Sequence, residues 1–280
     1  MINTSQDYSI NIYEFNEFSN VTSVDYTFNN WIVNYDKDLK SFVSYIFVID
    51  TLYHDAFSHW VFESAIYLPL FILLKHKYPT LKLYLKEHKI YKKIFCEYFK
   101  INENDIIYEL TYPNTCLLPT PISSLNINSI SEKYIYQLDN FLNFFNLKSN
   151  EKTIQTVFLP RQTRENYNNN DRYYNNSDFL QNIDTSHNFI LHTDNVTDLN
   201  YQIDIVNSSK NIILMGGSSY FVNGLFCQNS NIIVLDGCMN QINNFIKLKY
   251  IHDKICKNNK VTFCKFTNYN DIVHLINDSL

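Results

Sequence analysis

Apolar residues along this chain follow two alternating rhythms. Short, continuous apolar runs predict buried strands, and longer stretches with apolar positions three and four apart predict helices. SYIFVID (residues 44–50) is the first such run. From Ala56 to about Lys77 the pattern predicts a strongly apolar helix that stops before Pro79, because the residue preceding a proline is pushed out of the helical region. LKLYL (81–85) predicts a short strand. KIYKKIFCEYF (89–99) predicts an amphipathic helix with Ile90, Ile94, Phe95 and Phe99 on its apolar side. DIIYEL (105–110) is a further strand, and a stretch with Pro113, Pro119 and Pro121 leads into a helix over 131–145.

The polar segment NLKSNEKT (146–153) breaks this rhythm, which then resumes. Strand IQTVFLP is followed by the Asn/Tyr-rich stretch NYNNNDRYYNNS (166–177), strand NFILHT and helix LNYQIDIVNSS. Strand NIILMG, helix SYFVNGLF and strand NIIVLDG come next. Helix NFIKLKYIHDKICK, strand VTFCKF and helix DIVHLINDSL close the chain. Alternation of this kind predicts an α/β protein with parallel sheets flanked by helices. The polar break divides it into two Rossmann-like domains, residues 1–148 and 149–280, with a cleft expected between them.

Composition narrows the class. Hydrophobic residues make up 45% of the 280 and aromatic residues 16%, enough for a substantial core. The net charge of −5 gives no basic field, which argues against a nucleic-acid partner. The six cysteines show neither a CxxC pair nor Cys/His zinc spacing, so thiols in a reducing compartment are expected. The N-terminus lacks the basic-then-apolar pattern of a signal peptide, and the longest apolar run, AIYLPLFILL, is about half a membrane span. The expectation is a cytoplasmic protein with no membrane span.

Glycine is where the chemistry begins. All four glycines, Gly216, Gly217, Gly224 and Gly237, lie in one short window. Gly216 and Gly217 follow a buried strand and precede a helix, and Ser218 and Ser219 stand at the helix start. A backbone without Cβ can approach a phosphate there, and the helix's unpaired N–H groups suit a diphosphate. The same glycines would also serve a plain tight turn. Asp236 ends the next strand, where a carboxylate can accept ribose hydroxyls or simply sit in a solvated turn.

A second candidate lies in YHDAFSHWVFESAIYLPLF (53–71). His59 and Glu63 are four apart and share a helical face, a pairing suited to general-base chemistry or to a buried structural contact. His54 and Asp55, just upstream, are weaker candidates. Asp184 and Asp194 read as loop residues, and no DxD-like metal motif is placed.

Three motifs in order resemble the family 61 glycosyltransferases. HWVFESAIYL resembles the family's His-(Trp/Phe)-x-x-(Asp/Glu) helix through His59 and Glu63. RQTRENYNNND resembles its arginine followed by an Asn–acid pair, here Arg161, Asn170 and Asp171. MGGSSYFVNGLF…VLD resembles its glycine turn, Asn-x-x-Phe and closing acid, here Gly216, Gly217, Asn223, Phe226 and Asp236. The chain departs from the pattern with Gly-Ser in place of Gly-Ala and with Val222 in place of threonine. Asn166 stands where a second arginine is expected, with Arg164 close by in sequence.

The resemblance implies a GT-B architecture with the nucleotide on the C-terminal domain. It also implies an inverting transfer from a UDP-sugar to a glycan or glycoprotein acceptor. With no DxD-like motif placed, no obligatory metal or cofactor is expected. A homodimer is compatible with it. His59 oriented by Glu63 would be the base, or Glu63 itself. Arg161, with Arg164, Asn170, Asp171, Ser218, Ser219, Asn223 and Asp236, would surround the donor. Two alternatives stay open: a nucleotide- or sugar-binding protein with a decayed site, and a Rossmann-type methyltransferase.

Overall fold

The computed structural model describes residues 10–15, 31–33, 45–49, 57–109, 115–119, 132–145, 147, 151–160, 181–186, 188–193, 197–215, 222–236, 242–256, 258–265 and 269–277. The chain divides into two compact units, Met1–Phe144 and Phe145–Leu280. Both are mixed α/β.

The first unit contains strands β1 (Ile10–Phe15), β2 (Trp31–Val33), β3 (Tyr45–Val48), β4 (Lys82–Tyr84), β5 (Ile106–Ile107) and β6 (Thr115–Pro119). Its helices are α1 (Phe57–Glu63), α2 (Leu68–Lys77), α3 (Ile90–Tyr98) and α4 (Glu132–Asn143). The sheet order is β2-β1-β6-β3-β4-β5. Strands β6, β3, β4 and β5 run parallel, so β3 and β6 flank the point where strand order reverses. The expectation of a wholly parallel sheet needs correcting here. β1 pairs antiparallel with both β6 and β2. The sequence of β1, INIYEF, starts with the apolar–polar alternation that antiparallel strands favour. In β3, by contrast, Ile46, Phe47, Val48 and the following Ile49 are all buried, as a strand covered on both faces requires.

The long apolar helix expected from Ala56 to Lys77 is broken in the middle. Pro69 has no N–H to give to the carbonyl of Ala65, and Leu68 donates to that carbonyl instead, one residue tighter. The result is a 3-10 turn, Ala65–Tyr67, between α1 and α2. The stretch Phe57–His76 is long and apolar enough to cross a membrane, but 67% of its most apolar window is buried inside the protein, as in a core helix.

The inward face of α3 also differs from expectation. Lys92, Phe95, Cys96 and Phe99 are buried, while Ile90 is 65% exposed. Spacing of 0, 3, 4 and 7 is the helical stripe, and it excludes Ile90. The Lys92 stem lies in the core and its ammonium is 6.0 Å from the centroid of the Trp60 ring. Phe95 and Phe99 stack on Phe141 of α4 at 6.3 and 5.7 Å. α3 ends in a Schellman motif: Ile101 N–H donates to Cys96 O, Lys100 N–H donates to Glu97 O, and Lys100 has φ 55°. At the amino ends of β4 and β5, Lys75 and Lys82 both donate to Asp105 Oδ1, at 2.8 and 3.1 Å. Burial raises that carboxyl's pKa, but the two lysines outweigh it and hold it below the usual range.

The second unit contains β7 (Ile154–Leu159), β8 (Asn188–Ile190), β9 (Ser209–Met215), β10 (Asn231–Asp236) and β11 (Lys260–Lys265). Its helices are α5 (Leu199–Asn207), α6 (Ile242–Lys254) and α7 (Tyr269–Asn277). All five strands run parallel, in the order β8-β7-β9-β10-β11. In chain order this is 2-1-3-4-5, a doubly wound sheet whose order reverses between β7 and β9. One face packs Phe158, Ile213, Met215 and Leu235 against Ile183 and Ile276. The alternate residues Val157, Leu159, Ile212, Leu214, Ile232 and Val234 are buried as well. Of the helix expected at 219–226, the described part is two helical residues, Val222 and Asn223, then a turn closed by Leu225 N–H to Val222 O and Phe226 N–H to Asn223 O. Gly224, a poor helix former, stands within that turn.

Candidate functional site

The candidate residues of the first unit begin where β3 ends. In parallel α/β units the crossover helix starts on the carboxyl side of the strand before it, and α1 is the first helix after β3. His59 therefore stands in the first turn of α1 at the carboxyl edge, beside the reversal between β3 and β6. The neighbours of His59 fix the helix: Ser58, Trp60, Val61 and Phe62 are buried, and Trp60 packs on Tyr91 and Phe95 at 5.5 and 5.6 Å.

His59 Nδ1 lies 3.0 Å from Glu63 Oε1, with the imidazole 34% exposed and the carboxylate side chain 10% exposed. An ionised carboxylate only accepts, so the proton on this bond belongs to Nδ1. In the neutral ring the lone pair is then on Nε2, the arrangement a general base needs. His54 and Asp55 lie outside the described residues.

In the second unit, Arg161, Arg164, Asn170, Asp171, Gly216, Gly217, Ser218 and Ser219 lie outside the described residues. The strands leading to them are described. Leu159 of β7 stands opposite Leu214 of β9, which stands opposite Val234 of β10. Arg161, Gly216 and Asp236 each come two residues after a member of that row. Three residues singled out separately in the sequence thus follow, by equal chain lengths, three adjacent strand ends, and two of those strands flank the reversal. Asp236 is the last residue of β10 and registers with Lys265 of β11.

Asn223 has a different setting. It is fully buried, and its side-chain oxygen accepts a hydrogen bond from Gln202 Nε2 of α5. That bond ties the turn after Val222 to the core. Asp184 caps a loop by accepting from Ser186 N–H at 2.8 Å, and Asp194 lies outside the described residues.

Sequence reasoning missed His192. Leu191 N–H still donates to Phe158 O, extending the β7–β8 ladder, and His192 follows at the same carboxyl edge. Its Nδ1 is buried with no hydrogen-bond partner among the described residues. A polar His-Thr pair ending the apolar run NFIL was the available signal.

The opposite, amino edge of this sheet holds a polar network. Lys152 donates to Asn207 O at 2.6 Å and to Ser230 Oγ at 2.8 Å, and Ser230 Oγ donates to Ser209 O. Asn259 accepts from Ser230 N–H through Oδ1 and donates through Nδ2 to Cys227 O at 2.9 Å. The same Nδ2 lies 3.4 Å from Nδ1 of the fully buried His252. With its oxygen engaged by Ser230, Asn259 presents a donor to His252, so Nδ1 carries the lone pair and Nε2 the proton. Burial pushes the imidazole down to about 4, with Asp253 opposing weakly, and pushes the Cys227 thiol up to about 12. Both groups are neutral and structural.

Among the described residues, no three His, Cys, Asp or Glu side chains gather closely enough to hold a metal ion. Cys96, Cys227, Cys256 and Cys264 are all thiols. No protein-family model matches the chain, and no curated protein matches it.

Proposed function

We propose that the chain is an inverting glycosyltransferase that moves a sugar from a UDP-sugar to a glycan or glycoprotein acceptor, with its two units as the halves of a GT-B enzyme. The observation that carries this reading is that β7 and β9, the strands that lead to Arg161 and Gly216, and β10, which ends in Asp236, are neighbours at the reversal of a doubly wound parallel sheet. Such reversals are where α/β sheets bind nucleotides.

A second fact favours phosphate contact over a plain turn for the glycines. Among the described residues, the two non-glycine positions of positive φ are Lys100 and Asn229, at 55° and 56°. At both of these described positions a left-handed backbone is filled by another residue. A glycine pair kept after β9 then answers a need for close backbone approach.

In the proposed reaction the acceptor hydroxyl attacks the anomeric carbon from the face opposite UDP. His59 takes the hydroxyl proton as the new C–O bond forms, with Glu63 holding the ring. The bond to the diphosphate breaks with its electron pair going to UDP, and Arg161 and the N–H groups at 216–219 receive that charge.

Transfer from a UDP-sugar, followed by release of UDP, tests the reading directly. UDP binding without turnover would favour the decayed-site alternative, and S-adenosylmethionine binding the methyltransferase. Gly217→Ala should weaken UDP at least about tenfold, roughly 1.4 kcal/mol, in a folded protein. Unchanged affinity would return the glycines to a turn role. Arg161→Ala should weaken UDP far more than uridine, since only UDP carries the phosphate charge. Equal losses would assign the arginine to the fold.

A further inference from the structure

The carboxyl edge of the first sheet holds a second feature that the proposed chemistry leaves unused. Where the chain leaves β4 and β5 and enters α3, a pocket of about 40 Å³ opens. Tyr108 and His88 form one wall, with ring centroids 5.4 Å apart and planes tilted by 51°. Leu85 and Ile106 are apolar parts of the lining, and Lys92 and Glu103 are polar ones.

Charge decides what such a pocket can hold. Its lysines, Lys89, Lys92 and Lys93, are matched by Glu87, Glu97 and Glu103. Lys89 pairs with Glu87 at 2.9 Å, and Lys93 is 3.7 Å from Glu97. An anion would meet three carboxylates and a cation three ammonium groups. A purely apolar ligand would strip water from the charges without replacing its hydrogen bonds. A neutral polyhydroxylated ligand does neither, because each hydroxyl both donates and accepts. The size agrees. A water needs about 10–15 Å³ of such space, so the pocket holds about three waters, the equivalent of two or three hydroxyls along one edge of a sugar ring. Tyr108 offers an aromatic ring for the ring's C–H face. Its phenol is pushed up by burial and then by Cys96 and Glu103, so it stays a donor.

We propose that this pocket binds one residue of a neutral glycan by its hydroxyl edge, against Tyr108. The site stands on the first unit alone and does not rest on the UDP reading. The helix that lines it, α3, also packs on α1: Tyr91 lies against Phe57 and Trp60 at 5.4 and 5.5 Å, the residues on either side of Ser58 and His59. Where both readings hold, the acceptor is a glycan rather than a bare protein side chain.

Saturation-transfer NMR on the full chain, with a panel of neutral hexoses and N-acetylhexosamines, tests the site. Inorganic phosphate and glucuronate serve as charged competitors. The expected result is a signal from at least one neutral sugar that excess phosphate does not displace. Tyr108→Ala should weaken that sugar at least about tenfold, and Tyr108→Phe less, while UDP affinity stays unchanged in both. Glu103→Gln, at an exposed position, should also weaken it. Silence from every neutral sugar would overturn the proposal, as would displacement by phosphate or full binding by Tyr108→Ala. A chain that binds the sugar but not UDP would instead overturn the donor reading and leave this site intact.

Discussion

His59 and His252 show how little the residue type alone decides. His59 stands in the first turn of an edge helix, one third exposed, with a carboxylate 3.0 Å from Nδ1. His252 is fully buried near the end of α6, with an amide donor 3.4 Å from the same ring atom. The Glu63 carboxylate accepts from Nδ1 of His59. A proton added to His252 would point at the Asn259 NH₂ group and would have no water to solvate it. The first ring therefore has the setting the proposed base needs, while the second keeps its contact with Asn259 only as long as it stays neutral. The partner and the access to water, not the imidazole itself, separate the two rings.

The largest effect that would break this contrast concerns turnover. His59→Ala should lower the transfer rate by roughly 10²–10⁴-fold, about 3–5 kcal/mol of barrier, with UDP affinity little changed. A variant that transfers sugar at the wild-type rate would erase the distinction between the two rings.

The next effect is on stability and belongs to His252. Its folded value of about 4 lies below the ordinary 6.5, so between these the unfolded chain binds a proton that the folded chain refuses. Its contribution is intact above pH 6.5, falls as pH drops, and is fully lost below about pH 4. The loss amounts to roughly 3 kcal/mol at most. Urea unfolding at stepped pH should show this slope, and a His252→Gln chain should lose most of it. His59→Ala should leave it in place. A slope that follows His59 instead would reverse the assignments.

The smallest effect sharpens the role of the carboxylate. Glu63→Gln keeps the shape but removes the negative charge beside the ring. If Glu63 only orients the ring, turnover should fall less than in His59→Ala, by about tenfold. A loss exceeding that of His59→Ala would make Glu63 the base.

The sequence pattern was informative where burial is continuous. SYIFVID, IQTVFLP and NIIVLDG each hold the strand their apolar runs predict, and the alternation after residue 153 is the doubly wound sheet. It was silent on β2 and β6 of the first sheet. β2 is three residues, WIV, and β6 ends in a proline, too short or too irregular for a period to register. It was misleading at α3, where Lys92 reads as surface and Ile90 as core. Only the Trp60 face, contributed from another helix, makes the lysine's place. At the site, His59 and Glu63 were legible because both lie on one helix at fixed spacing. The amino-edge network was not. Lys152, Ser230 and Asn259 meet across more than a hundred residues, and no local pattern announces a contact of that range.

The central pair of the second sheet has a consequence for how the chain folds. Thr156 of β7 and Asn211 of β9 lie side by side yet are 55 residues apart in sequence, whereas Asn211 and Asn231, across β9 and β10, are only 20 apart. Closing the longer loop carries the greater entropic cost, and ladders of high sequence separation form slowly. β9, β10 and β11 can thus assemble as one block and β7 with β8 as another, before the two are zipped together. The seam between the blocks runs between the strand ends that lead to Arg161 and Gly216. Until the two blocks join, those two strand ends are not neighbours.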